Sequence, residues 1–206
     1  MQIQLIHHAS IKLIDDIIIY IDPYKINDEL HDADYIFITH DHYDHYDEES
    51  INKIKKDTTK IIVPKILSSK NNNLIVEPNK EYMIDDISFK TISSYNLGKD
   101  FHQKEKEYVG FNILLKGIKY YIMGDTDITP ECLEVDTDIC FVPIGGIYTM
   151  DYLEASEYIN KIKPKKAIPI HYGMIIGDYS LGEKFKEKVD KEIEVDILLK
   201  GENNYD

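Results

Sequence analysis

Short apolar runs rich in β-branched residues open the chain. Ile3 to Ile6, Ser10 to Ile14 and Ile17 to Ile21 read as strands, the last two joined at Asp15-Asp16 as a hairpin, and Pro23 closes the set. Tyr35 to Thr39 is a continuous apolar run of the kind buried on both faces of a sheet. Asp47 to Lys56 then places Ile51 and Ile54 on one face with acids in its first turn, which predicts a helix. Thr59 to Val63 is the next strand. Alternation around Asp85-Asp86 in Glu81 to Ser94, and around Lys116-Gly117 in Phe111 to Met123, predicts two hairpins. Ile139 to Val142 reads as a buried strand, Met150 to Ile162 as an amphipathic helix, Ala167 to Ile170 as a strand, Leu181 to Val189 as a helix and Val195 to Leu199 as the last strand.

Hairpins followed by alternating strands and helices predict one layered domain of mixed α/β (α+β) class over residues 1–206. Its apolar share of 43% against 30% charged residues suits a folded core. No repeat or linker divides it. The only biased run is Asn71 to Asn73, and GENNYD at the end reads as frayed.

The net charge of −14 argues against nucleic acid, whose binding rests on Lys and Arg neutralising phosphates. The start, MQIQLIHHAS, lacks a basic segment followed by an apolar one, and no run approaches the roughly 18 apolar residues of a membrane span. A cytoplasmic protein with a small-molecule substrate, bound to neither nucleic acid nor membrane, is therefore expected. Cys132 and Cys140 show no CxxC spacing and read as buried small hydrophobes.

The chemistry concentrates in T-H-D-H-Y-D-H-Y-D, residues 39 to 47, which hold three of the eight histidines immediately after a predicted strand. In extended backbone, side chains at i and i+2 share a side, so His40 and His42 aim two imidazoles at one point. Beyond the strand, Asp44 and His45 can swing a carboxylate and a third imidazole toward a neighbouring point. Imidazole and carboxylate together suit zinc or a similar ion. So many polar groups at the end of an apolar strand are costly to bury without a cation.

His40-x-His42-x-Asp44-His45 resembles the signature of the metallo-β-lactamase superfamily. Ile21-Asp22-Pro23 resembles its early strand-end Asp, Gly124-Asp125-Thr126 its later GDT segment and Ile170-His171-Tyr172-Gly173 its late strand-end His, in order and spacing. The resemblance implies a four-layer αββα sandwich with a dinuclear site at one sheet edge. By it, His40 and His42 bind the first ion, Asp44, His45 and His171 the second, and Asp125 bridges them. Typical members carry a His directly after the strand matching Ile92 to Tyr95, where this chain has Asn96. His102, six residues later, is the nearest imidazole, so the third ligand of the first ion is His102 brought in by a folded-back loop, or else Asn96 or an open position.

Asp22 is expected to support a ligand histidine rather than bind metal. His8 resembles the His of a GHA/GHS segment in small stand-alone members, with a place at the site rim or on the surface as the two readings. Gly145-Gly146 allow a sharp turn, with Thr149 expected to cap the following helix and Tyr148 to stand near the site mouth. His42, where di-iron oxidoreductases carry Glu, argues for hydrolysis.

The resemblance thus implies a zinc-dependent hydrolase similar to sugar-phosphate lactonases. Such an enzyme uses a metal-bound hydroxide on an ester, lactone or phosphodiester, with one or two Zn2+ ions and Mn2+, Ni2+ or Fe2+ as alternatives. Asp44 would orient the nucleophile's proton, and Tyr148 and Tyr172 are candidate donors to the developing oxyanion. The alternative is a metal-binding sensor or scaffold that has lost turnover. The chain has no arginine to clamp an anion, and Lys25, Lys65 and Lys99 are the candidate cations near the mouth.

Overall fold

A computed structural model describes residues 1–68 and 73–199. The Asn71 to Asn73 run lies largely outside the described residues, and the GENNYD end wholly so. The described residues form two sheets and three α-helices, divided between two compact units, Met1–Val76 and Glu77–Asp206.

The first unit holds a six-stranded sheet in sequence order: β1 Gln2–His7, β2 Ser10–Ile14, β3 Ile18–Ile21, β4 Ala33–Phe37, β5 Lys55–Pro64 and β6 Leu74–Val76. β1, β2 and β3 pair antiparallel, and β3 to β6 pair parallel. The C-terminal ends of β1, β3 and β4 therefore lie along one edge of this sheet. Helix α1, Glu48–Ile54, buries Ile51 and Ile54 in a cluster with Ile36, Ile38 and Val63, the apolar stripe expected from its sequence. Asp47 caps it by accepting from the Glu49 N–H. Lys55, just after the helix, already begins β5, which is longer than the predicted Thr59 to Val63.

The second unit holds a seven-stranded sheet of β7 Glu81–Ile84, β8 Ile87–Ser93, β9 Val109–Leu115, β10 Ile118–Ile122, β11 Ile139–Pro143, β12 Lys166–Ile170 and β13 Glu194–Val195, ordered β13 to β7. β7 to β10 pair antiparallel and β10 to β13 parallel. The C-terminal ends of β8, β10 and β12 accordingly share one edge, where ligands gather in sheets with parallel strands. The hairpin at Lys116-Gly117 turns with φ of +49° and +81°, the left-handed pair that a tight two-residue connection favours.

Helices α2, Tyr152–Ile162, and α3, Ser180–Lys188, pack together in this unit. Cys132 and Cys140 are both buried, as expected. Two details differ from the sequence reading. The last strand stops at Val195, with Asp196 to Leu199 irregular, because β13 is an edge strand with only two paired positions. Asp151 rather than Thr149 caps α2: its carboxylate accepts from Leu153 and Glu154 N–H groups, and Glu154 accepts from the Asp151 N–H.

Candidate metal centre

In the first unit, β4 gives way through Ile38 and Thr39 to His40, and a turn in which the His45 and Tyr46 N–H groups donate to the His42 carbonyl swings the chain round. That turn brings Asp44 and His45 back beside the sheet edge. His40, Asp44 and His45 are buried and His42 is half-buried. The ring centroids lie 4.6 Å apart for His40 and His42 and 4.0 Å apart for His40 and His45.

The orientation of two imidazoles traces to Asp22, at the end of β3 and 1% exposed. Its Oδ1 accepts from the Thr39 N–H at 2.8 Å, and its Oδ2 takes the Thr39 hydroxyl at 2.6 Å and His45 Nδ1 at 2.8 Å. An ionised carboxylate only accepts, so opposite an ionised Asp22, His45 carries its proton on Nδ1. The Thr39 hydroxyl spends its single proton on Asp22, so at 2.9 Å from His40 Nδ1 it must accept, and His40 is protonated there too. With Nδ1 engaged in each ring, Nε2 is the atom through which either imidazole would ligate a metal. Asp22 is thus the supporting carboxylate expected, and Thr39 extends its reach to a second histidine. Burial pushes the Asp22 carboxyl above its ordinary range, against the lowering effect of the His45 and Thr39 donors.

His8 follows β1 and is fully buried, which removes the surface placement. Its Nε2 lies 3.4 Å from Asp44 Oδ2, and its ring meets His45 edge-on. His45 Nε2 lies 3.7 Å from the same Asp44 oxygen.

In the second unit, Asp125 follows β10 through Gly124 and His171 follows β12, both buried. Asp125 Oδ2 stands 2.9 Å from His171 Nε2 and 3.3 Å from His102 Nε2. The loop from 96 to 102 folds back as anticipated for His102. The Asn96 N–H donates to the His102 carbonyl at 2.8 Å, and its side-chain amide donates to the carbonyls of Tyr148 and Phe101 at 2.6 and 3.1 Å. Asn96 therefore shapes the loop that carries His102, and its amide nitrogen also lies 3.2 Å from His102 Nδ1. Asp127 holds the same loop by accepting from the Leu97 N–H at 2.8 Å and by pairing with Lys99, which also donates to the Thr149 carbonyl at 2.7 Å. Lys99 is consequently a structural clamp.

Tyr148 is half-buried with its ring edge-on to Phe101 at 4.8 Å. Tyr172 is fully buried, and its hydroxyl points at α3, where a Cβ on Gly182 would stand 2.6 Å from it; burial pushes its pKa up. It is not at a site mouth. Among the described residues this hydroxyl has no hydrogen-bond partner. Gly145 allows the β11 end to pass His171, since a Cβ there would come 2.2 Å from the His171 carbonyl oxygen.

Four of the eleven non-glycine residues with positive φ among the described residues belong to this region. His8, Asp22, His102 and His171 have φ of +48°, +46°, +56° and +59°, the left-handed region that few non-glycine residues adopt. Each comes after or between strands at an edge described above. Thr39, Asp127 and the Lys99 clamp escaped the sequence reading, because a hydroxyl beside a histidine and an acid two residues past another carry no spacing signal of their own.

The donor chemistry of the first unit fits a metal, since one ligand atom from each of His8, Asp44 and His45 lies within 4.8 Å of the others. Ligands of one tetrahedral ion at roughly 2.0–2.1 Å stand about 3.3–3.4 Å apart, whereas a charge-assisted hydrogen bond is shorter, at about 2.7–2.9 Å. The Asp44–His8 and Asp125–His102 separations of 3.4 and 3.3 Å have the first spacing, and the Asp125–His171 separation of 2.9 Å has the second. No described helix is long and apolar enough to cross a membrane.

Comparison with known proteins gives one consistent result. Residues 2–171 match the family model described as a beta-lactamase superfamily domain. A UPF0173 metal-dependent hydrolase of Thermococcus onnurineus is 27% identical over 98% of this chain and 97% of its own length. A UPF0173 protein of Pyrococcus furiosus is 31% identical over 84% of this chain and 82% of its own. A solved structure from Parabacteroides distasonis, described as a proposed metal-dependent hydrolase, superposes with a TM-score of 0.84 and 28% identity, covering 96% of this chain and 93% of that one. Igni18, a metallo hydrolase from Ignicoccus hospitalis, shares the fold at a TM-score of 0.78 and 23% identity, over 97% and 95% of the two chains.

Proposed function

Because the chain belongs to the beta-lactamase superfamily and carries the fold of its metallo-β-lactamase members, we propose that it is a metal-dependent hydrolase of ester, lactone or phosphodiester small molecules, with zinc as its metal. The proposed ligands are His40, His42, Asp44 and His45 of one unit and His102, Asp125 and His171 of the other. The observation that carries this reading is the support that Asp22 and Thr39 give to the Nδ1 atoms of two buried imidazoles, His45 and His40, the outer-shell arrangement typical of metal-ligating histidines.

When bound, zinc acts as a Lewis acid that lowers the pKa of a water to about 7 and polarises a carbonyl or phosphoryl oxygen. The protein's own groups do the rest. Asp22 and Thr39 hold His40 and His45 in the required tautomer. Asp44 accepts and orients the proton of the attacking water, and the Asn96 and Asp127 contacts keep His102 in place. Tyr148, against Phe101, is the proposed donor to the charge that develops on the substrate oxygen. The substrate is a small molecule in this reading, and the protein is cytoplasmic and engages neither nucleic acid nor membrane.

The test is elemental analysis of purified protein together with a screen against activated esters, lactones and phosphodiesters, for wild type and for His42→Ala. Wild type should carry metal and turn over at least one class, and the variant should lose both with its fold intact. Full metal occupancy with no turnover would replace the enzyme with a metal-binding sensor or scaffold.

A further inference from the structure

His8 stands apart from the ligand set proposed above, yet the geometry around it is that of a ligand. We infer that His8 is itself a ligand of the metal held by Asp44 and His45, through its Nε2. The inference rests on the metal-binding reading of the first unit and adds a group to it.

Three observations carry it. His8 Nε2 and His45 Nε2 lie 3.4 and 3.7 Å from one and the same oxygen, Asp44 Oδ2, and one donor atom from each of His8, Asp44 and His45 lies within 4.8 Å of the others. The 3.4 Å separation matches the edge of a tetrahedron whose bonds are roughly 2.0–2.1 Å, and 3.7 Å lies a few tenths of an ångström beyond it. A histidine that merely hydrogen-bonded the Asp44 carboxylate would sit about half an ångström closer.

Second, His8 is entirely buried, with its ring edge-on to His45, so its nitrogens are withdrawn from water on the same side as the other donors. A buried imidazole beside a carboxylate needs a purpose that repays its desolvation.

Third, the backbone is bent to aim it. β1 and β2 are joined by His8 and Ala9 alone, the register shifts between Leu5 and His7, and His8 sits at φ +48°. A two-residue hairpin normally places Gly, Asn or Asp in a left-handed position of this kind. A bulge that re-aims a side chain, together with a strained residue that a glycine would relieve, is the combination found beside functional sites.

The experiment compares wild type, His8→Asn, His8→Gly and His45→Ala. Asn and Gly both accept the left-handed backbone, so at least one of the two His8 variants is expected to fold, which thermal melting of the metal-free proteins checks. Each chelator-stripped protein is titrated with Co2+ against a competing chelator, while the visible d–d absorption and the bound metal per chain are recorded. The His8 variants should lose at least tenfold in affinity for one ion, with a changed d–d spectrum, and His45→Ala should weaken the same ion. If the His8 variants keep wild-type affinity and spectrum while His45→Ala loses the ion, His8 is no ligand and the metal site stands without it. Should His45→Ala also bind unchanged, the metal-binding reading of this unit fails first, and the inference with it.

Discussion

Replacing Asp22 with Asn separates charge from shape at the residue that orients the histidines. Asn is close to isosteric and tolerates the φ of +46° at this position, so the backbone has no reason to move. What changes is hydrogen-bond capacity. The carboxylate accepts three protons, from the Thr39 N–H, the Thr39 hydroxyl and His45 Nδ1. An amide has one accepting oxygen and one donating nitrogen. If the nitrogen takes the place of Oδ2, His45 Nδ1–H meets another donor, and the Thr39 hydroxyl turns to donate to His40 Nδ1, which moves that imidazole's proton to Nε2. If it takes the place of Oδ1, the buried Thr39 N–H loses its acceptor at a cost of about 1–3 kcal/mol.

In the metal-free fold this loss is offset in part, because burial disfavours the Asp22 charge that the substitution removes. The larger effect therefore falls on metal affinity, where lost supporting groups typically cost about 10- to 100-fold, or about 1.4–2.8 kcal/mol. Chelator competition with zinc measures the affinity and urea denaturation of the stripped protein measures the fold. An affinity within twofold of wild type would refute the claim that Asp22 sets the tautomers of His40 and His45.

Two other substitutions probe the second unit. Gly145→Ala forces a Cβ to 2.2 Å from the His171 carbonyl oxygen and 2.6 Å from Ile176 Cγ2, so the β12 end must shift; metal content and hydrolysis should fall together, and wild-type metal content would show that His171 does not depend on this approach. Tyr172→Phe removes a buried hydroxyl with no partner among the described residues and should leave activity unchanged while raising stability by about 1 kcal/mol, read as an urea midpoint; lost activity would return Tyr172 to the chemistry.

The strands and helices that form the two sheet edges were legible because their apolar periods are local. Leu74 to Val76 was missed, since three apolar residues alone carry no period, and Val195 to Leu199 was overextended because β pattern does not reveal how many partners an edge strand finds. The His40 to His45 cluster announced itself through spacing. Its supports did not: Thr39 acts through the direction of one hydroxyl proton, and Asn96 through carbonyls five and fifty-two residues away. Such contacts exist only once the backbone has folded. His8 lay between a rim and a surface reading because its turn is ordinary in sequence and becomes telling only through its dihedral angle.

The left-handed backbones of His8, His102 and His171 carry one more implication. Each holds a bulky residue where glycine would rest easily, at a cost on the order of 1 kcal/mol apiece. Laboratory evolution that rewarded heat resistance and nothing else would be drawn toward glycine at all three, and would arrive at a hardier chain with its donors stripped away. Durability and chemistry compete here for the same three dihedral angles.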